Sequence, residues 1–120
     1  MAESKKYDLE NRTMNFSLAV RDFCLMLKKD LINIEYIRQL VRAAGSVGAN
    51  YIEANENLGP NDLKMRIRIC RKESKESGYW LDHVLVYGNE ELEVTRVALK
   101  QEANELMLIF ASILRKLESK

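Results

Sequence analysis

Basic side chains crowd one short stretch of the sequence and are its clearest candidates for binding chemistry. They are Lys64, Arg68, Arg71, Lys72 and Lys75. Four of them, all except Lys72, follow one another at steps of four, three and four residues. On a helix these four form one ridge over about three turns. Like charges in this arrangement repel each other unless they are partly neutralised. Two interpretations stay open: a solvated face paired with acidic residues of a neighbouring helix, or a strip that binds nucleic-acid phosphates.

Two aromatic residues, Tyr79 and Trp80, follow the basic stretch. Aromatic rings stack on unpaired bases in many proteins that bind single strands. In a Tyr-Trp-Leu run on a bundle helix, however, such residues more often anchor a core or an interface. The sequence favours the anchoring role and leaves base stacking as the alternative.

Carboxylates offer a second kind of chemistry, because four-helix bundles can hold two metal ions between Glu and His ligands. The known arrangement needs Glu-x-x-His on two helices, but Trp80 stands three residues before the single histidine, His83. A site without histidine would require four glutamates to converge: Glu53, Glu73, Glu76 and Glu102. The chain has arginines available to pair with them, which favours ion pairs. We predict no metal and no cofactor.

Nucleophilic catalysis has little support in the sequence. Its candidates, all inside helical patterns, are Ser46, Ser74, Ser77, Cys24 and Cys70. A single histidine is available as a base, and no glycine-rich elbow or phosphate-binding loop is present. We therefore predict that the protein is not an enzyme and has no small-molecule substrate.

Charge and composition exclude several classes of protein. The 19 basic and 18 acidic residues leave a net charge of +1, which argues against general polyanion binding but allows a local basic patch. The first residues carry no apolar signal segment, and no apolar run approaches the roughly 20 residues that a membrane span needs. We expect a cytoplasmic protein without membrane contact, in which Cys24 and Cys70 are reduced core residues.

Four helices must position these side chains. Apolar residues recur at steps of three and four over residues 8–29, 33–57, 61–87 and 89–118, within one domain spanning 1–120. The candidate N-caps are Asp8, Asn33, Asn61 or Asp62, and Asn89. Because the connections are short, each helix packs antiparallel to the one before it. The predicted fold is an all-α, up-down-up-down four-helix bundle.

Gly45 and Gly48 lie inside the second predicted helix, where each costs up to about 1 kcal/mol relative to alanine. Close approach of a neighbouring helix is the simplest compensation for this cost. A hinge is the alternative. We predict close packing at both positions.

The chain has more apolar residues than one stripe per helix requires. Those beside or away from the stripes are Leu25, Met26, Ile32, Ile34, Ile52, Met65, Val86, Val94, Met107 and Ile109. Some exposed apolar surface is normal in any protein. So many residues of this kind favour a second buried surface, and we predict self-association.

Three clusters of residues carry a resemblance to a known family. They are residues 39–42 (QLVR) leading into 46–54 (SVGANYIEA), residues 62–63 (DL) with 72–81 (KESKESGYWL), and residues 102–106 (EANEL). Over about residues 7–118 the chain resembles the four-helix bundle proteins encoded in intervening sequences of bacterial 23S ribosomal RNA genes. It is also similar to the accessory proteins of diversity-generating retroelements, which are basic pentamers that bind nucleic acid and a reverse transcriptase.

The resemblance implies an antiparallel bundle that assembles as a homopentameric ring. It implies no catalytic residues, since none are established for the family. Together with the basic stretch, it leads us to predict a non-enzymatic oligomer that binds RNA or a nucleoprotein partner. The alternative is an interaction module that recruits another protein and never contacts nucleic acid.

Overall fold

A computed structural model describes residues 2–119 of the chain, with side chains from Asp8 onward. It contains four α-helices: α1 (Ala2–Met26), α2 (Leu31–Asn55), α3 (Pro60–His83) and α4 (Glu90–Glu118). No strand occurs among residues 2–119. Helices α1 and α3 each pack against both α2 and α4, so the four helices form a closed square. The predicted all-α four-helix bundle is confirmed.

Contacts between the helices show that neighbours run antiparallel. Arg68, near the start of α3, pairs with Glu118 at the end of α4, and Asp82, near the end of α3, pairs with Lys100 of α4. At the other side of the bundle, the Asn55 amide at the end of α2 donates a hydrogen bond to Glu10 of α1 at 2.7 Å. The connectivity is therefore up-down-up-down, as the short connections predict.

The core is built from the apolar stripes that the spacing predicts. Its fully enclosed large side chains include Val20 of α1, Leu40 and Val47 of α2, Ile67 and Leu81 of α3, and Leu106 and Phe110 of α4. Burial of these side chains is the main source of stability for the bundle. Because the stripes continue along each helix, the core extends through the length of the molecule.

Several predicted helix boundaries were wrong. Asp8 does not cap the first helix, because α1 begins at Ala2 and Asp8 lies inside it. At its other end α1 stops at Met26, and the Lys29 ammonium beyond the helix donates hydrogen bonds of 2.7–2.8 Å to three carbonyls from residues 24 to 27. At the third helix, neither Asn61 nor Asp62 is the cap: Gly59 is, and Pro60 opens α3. Asn89 caps α4 as predicted, with its side chain accepting from the Leu92 N–H.

Asn33 is not the N-cap of α2. Asp30 occupies that position and accepts a hydrogen bond from the Asn33 N–H at 2.8 Å. The Asn33 side chain is fully buried and joins two loops at one end of the bundle. Its amide donates to the Lys28 and Leu85 carbonyls at 2.9 and 3.0 Å, and its oxygen accepts from the Leu85 N–H at 2.8 Å. A polar side chain tolerates such burial because all its partners are supplied.

The hydrogen bonds between Asn33 and Leu85 explain why α3 ends four residues before the predicted position. The helix stops at His83, and Val84 turns into extended backbone with its side chain completely buried. Leu85 is then held by Asn33. The chain reaches α4 through Tyr87 and Gly88, both with positive φ angles, of 53° and 74°. Long-range hydrogen bonds, rather than loss of apolar periodicity, end this helix.

Gly48 brings α1 and α2 close together. A Cβ atom at this position would lie 3.0 Å from the Thr13 hydroxyl oxygen, which is tighter than ordinary packing. The Thr13 side chain is buried, and its hydroxyl donates to the Leu9 carbonyl at 2.8 Å. At Gly45 the nearest atom to a new Cβ would be the Ser17 hydroxyl oxygen, at 3.8 Å. The close approach predicted for both glycines therefore exists at Gly48 and is looser at Gly45.

Substitutions at the two glycines are expected to have opposite effects on stability. Gly48→Leu should lower the free energy of unfolding by about 1–3 kcal/mol, because its side chain overpacks against Thr13. Gly45→Ala should raise it by up to about 1 kcal/mol, because alanine favours the helix and its methyl meets no close atom. Urea unfolding of both variants measures this difference. If the Gly48→Leu protein were as stable as the wild type, Gly48 would not lie at a close contact between α1 and α2.

Candidate nucleic-acid interface

The five predicted binding residues all lie on α3, and we call them the basic strip: Lys64, Arg68, Arg71, Lys72 and Lys75. Four of them are exposed, and Lys64 is half-buried. Four of them lie in one row along α3, and Lys72 lies beside this row. The buried Ile67, Cys70 and Ser74 lie on a different side of the helix. The row runs beside α4, as the Arg68–Glu118 contact shows. The structure therefore brings the sequence-predicted residues together on one surface.

Neutralisation of the basic strip is limited. Arg68 donates a hydrogen bond of 2.8 Å to Glu118, and both side chains are about half exposed, at 51% and 46%. Such an exposed pair is weak and easily exchanged for another anion. Lys64, Arg71, Lys72 and Lys75 form no ion pair with any described residue between 8 and 119. One of the five residues thus has the ion pair that a solvated face paired with a neighbouring helix predicts, and the exposure of the others fits either interpretation.

Two acidic residues of α3, Glu73 and Glu76, face α2, away from the strip's contact with α4. Arg42 of α2 donates to Glu73 at 2.9 Å and to Glu76 at 2.6 Å. The Glu73 side chain is 8% exposed, and Arg42 supplies a hydrogen-bond donor at this nearly buried position. The pKa of Glu76 is lowered, first by its hydrogen bond with Glu73 and then by Arg42. These two carboxyl groups, which would repel a nucleic acid, are therefore paired with an arginine of α2.

Acid is expected to weaken this contact between α2 and α3. The lowered pKa of Glu76 means that its stabilising contribution is complete above its ordinary value of 4.5 and is lost as the pH falls below it. Unfolding by urea at a series of pH values should therefore show stability falling below about pH 4.5. The fall should be smaller in Glu76→Gln. An equal fall in both proteins would mean that other carboxylates control the acid response.

The glutamates considered for a metal site do not converge. Glu73 and Glu76 pair with Arg42, whereas Glu102 forms a two-point contact with Arg12 of α1 at 2.7 and 2.8 Å. Glu53 is exposed on α2. No group of three or more potential metal ligands occurs among the described residues. The Arg12 contact, which the sequence pattern did not predict, ties α1 to α4 and raises the pKa of Arg12, mainly through its hydrogen bond with Glu102.

Both cysteines lie in the core as predicted, and neither forms a disulfide. Burial raises the pKa of Cys24 to about 11 and that of Cys70 to about 12. A thiol must lose its proton to act as a nucleophile or a metal ligand. These two side chains therefore serve packing, and Cys70 also donates to the Val47 carbonyl at 3.4 Å.

Tyr79 and Trp80 have different environments. Trp80 packs against the core, with its ring 6.0 Å from that of Tyr36 and 5.3 Å from that of His83. It is an anchor between α2 and α3, as the sequence favoured. Tyr79 is 56% exposed, and its ring is supported by His83 at 4.4 Å. One of the two rings is thus open to a ligand.

A cavity of about 320 Å³ lies between α3 and α4, next to Tyr79. Lys75 and Gly78 line it from α3, and Lys100 and Asn104 line it from α4. Sequence reasoning missed the α4 residues, although Lys100, Asn104 and Met107 follow helical steps of four and three. The one signal, two exposed polar residues four positions apart on a helix, is too common to mark a site. The cavity shares Lys75 with the basic strip and so continues it.

The fold is similar to that of a protein of unknown function from the S23 ribosomal protein family of Bacteroides thetaiotaomicron VPI-5482, known from a crystal structure. The TM-score is 0.75, and the match covers 92% of this chain and 98% of that chain, at 21% sequence identity. This likeness establishes a shared fold. No protein-family model and no curated protein matches the sequence. Within the part of the chain that is described, no helix is long and apolar enough to cross a bilayer.

Proposed function

We propose that this chain is a non-enzymatic, cytoplasmic four-helix bundle that assembles as a homo-oligomer and binds RNA, free or within a nucleoprotein, through the basic strip. The observation that carries the proposal is the row of exposed cations on α3, of which Arg68 alone pairs with a described carboxylate. Phosphate contacts by lysine and arginine release counterions, and they supply most of the affinity of non-specific nucleic-acid binding. The net charge of +1 does not oppose this, because the cations are clustered.

The structural likeness is consistent with this proposal. The similar protein is described as belonging to a ribosomal protein family, although its own function is unknown. The sequence resemblance to proteins encoded within ribosomal RNA genes points in the same direction. Neither likeness identifies a particular RNA. We therefore propose binding through phosphates with little preference for sequence.

Exposed apolar residues support assembly. On α1, Met14, Leu18 and Leu25 are 37–68% exposed and recur at steps of four and seven, so they share one side of the helix. On α2, Ile34, Val41 and Ile52 are 38–46% exposed at steps of seven and eleven. Met14 and Ile52 line the same cavity of about 230 Å³, which shows that the two sides adjoin. Surface of this kind is typical of protein contacts.

Self-association is expected to raise the mass of the protein in solution above that of one chain. Light scattering behind size exclusion should give several times 13.9 kDa, and the resemblance implies five copies. Val41→Glu should reduce the mass, because it places a charge within the apolar side of α2. Lys72→Glu, on the surface of α3, is the control and should leave it unchanged. A wild-type protein that stays monomeric at micromolar concentration would contradict assembly.

RNA binding is tested by titrating a labelled single strand with the protein at several salt concentrations. Affinity should fall steeply with salt, with a slope of about −0.7 in log affinity against log salt for each phosphate contact. Absence of binding at about 50 mM salt, where phosphate contacts are strong, would refute the proposal.

The second candidate function is recruitment of another protein without contact to nucleic acid. The exposed apolar sides of α1 and α2 favour it, because they suit a protein partner as well as a second copy of the chain. It predicts no RNA binding by the wild type at low salt. The same titration therefore separates the two functions.

A further inference from the structure

We propose that the cavity between α3 and α4 receives one unpaired base of the RNA whose phosphates the basic strip holds. This inference rests on the proposed RNA binding and narrows its ligand to a strand with unpaired nucleotides. The uncharged residues that line the cavity include Gly78, Tyr79 and Asn104, and its charged residues are Lys75, Lys100 and Asp82. Its volume of about 320 Å³ lies at the lower end of the range for small-ligand pockets.

Tyr79 offers the flat surface that a base requires. Its side chain is 56% exposed, and Trp80 and His83 contact the ring, with centroids 4.9 and 4.4 Å away. These neighbours restrict the ring, so less freedom is lost when a base stacks on it. Stacking tolerates any base, because every base has a π-face. The site would therefore select unpaired nucleotides without selecting a sequence.

Gly78 keeps the cavity open. A Cβ atom at this position would have one neighbour within 4 Å, the Ala103 Cβ at 4.0 Å, so the space beside it is empty. Glycine is a poor residue for a helix interior, at a cost of about 1 kcal/mol. No close helix contact at Gly78 compensates for this cost, in contrast to Gly48. A ligand that fills this space explains why a glycine stands at position 78.

The polar groups around the cavity suit a nucleotide. Asn104 is exposed and forms no side-chain hydrogen bond with a described residue, so its amide is free to pair with the edge of a base. Lys75 forms no ion pair with a described residue and lies at the end of the basic strip. Lys100 is paired with Asp82, the acidic group at the cavity. Because the strip follows α3 to this point, one strand can contact the cations and place a base beside Tyr79.

The test compares a single-stranded RNA of about 12 nucleotides with a duplex of the same length. Both are titrated at the same low salt with wild type, Tyr79→Ala and Tyr79→Phe. The wild type should prefer the single strand, and Tyr79→Ala should weaken single-strand binding by about 5- to 150-fold without changing duplex binding. Tyr79→Phe keeps the ring and should bind like the wild type.

A second pair of variants keeps the test informative if Tyr79→Ala is unstable. Gly78→Leu fills the cavity and should lower single-strand affinity as Tyr79→Ala does, whereas Gly78→Ala adds one methyl group and should lower it much less. If the wild type binds both RNAs equally and no variant alters binding, the base site is refuted while phosphate binding stands. If the wild type binds neither RNA, the proposed function fails and the base site fails with it.

Discussion

Replacing Arg68 and Arg71 by glutamate is expected to abolish RNA binding while leaving the helices and the oligomer mass unchanged. A hydrogen bond to a charged group contributes about 1.5–3 kcal/mol, and each 1.4 kcal/mol is a tenfold change in affinity. Loss of two phosphate contacts therefore lowers affinity at least about a hundredfold, and the new carboxylates repel the strand in addition. Both side chains are exposed, so the fold should tolerate the exchange.

The single variant Arg71→Glu has a matched control in Arg38→Glu. Both substitutions change the net charge equally, and both arginines are exposed on a helix, but Arg38 lies on α2, which makes no contact with α4 among the described residues. Arg71→Glu should weaken binding and reduce the steepness of the salt dependence by about 0.7. Arg38→Glu should change both little. Equal losses in the two variants would show that overall charge, rather than the basic strip, determines binding.

Loss of the Asn33 side chain is expected to destabilise the fold strongly. Asn33→Ala removes three hydrogen bonds that lie within the protein and leaves two carbonyls and one N–H without these partners. An unsatisfied buried polar group costs about 1–3 kcal/mol, so the free energy of unfolding should fall by roughly 3 kcal/mol. Urea unfolding measures it. Asn55→Ala, which loses one hydrogen bond to Glu10 at a half-buried position, should cost less than about 1 kcal/mol.

A second substitution at Asn33 separates the hydrogen bonds from the shape of the side chain. Asn33→Asp has nearly the same volume, but its carboxylate would face the Lys28 and Leu85 carbonyls with no hydrogen to donate. Burial raises the pKa of such an aspartate in the folded state, so the variant should gain stability as the pH falls from 7 toward 5. An Asn33→Asp protein as stable as the wild type at pH 7 would show that the buried amide is not needed.

Local spacing predicted much of this molecule. Leu40, Leu106 and Phe110 were placed in the core by steps of three and four, because a helix fixes the direction of each side chain. The same rule placed four basic residues in one row on α3, with Lys72 beside it. It also identified apolar residues outside the stripes, such as Leu25 and Val94, which are 68% and 70% exposed. These features depend on one helix at a time.

Contacts between elements were predicted less well. Asn33 has the residue type of a cap, and only the approach of the α3–α4 loop shows that it binds Leu85 instead. Leu58 continues the apolar spacing of α2, yet it is 94% exposed because the helix ends at Asn55. The error at Asn33 arises where a local preference competes with a contact to a distant segment.

The sequence alone determined the four helices, the residues that face the core and the row of cations, since each follows from periodicity along a single helix. The tertiary structure decided which charges are neutralised and where the surface is hollow. Arg42 pairs with Glu73 and Glu76, while among the described residues the one ion pair of the basic strip joins Arg68 to Glu118. The cavity beside Tyr79 exists because Gly78 faces α4 at that height. Ion pairs and cavities depend on the distances between helices. The spacing of residues within one helix does not determine these distances.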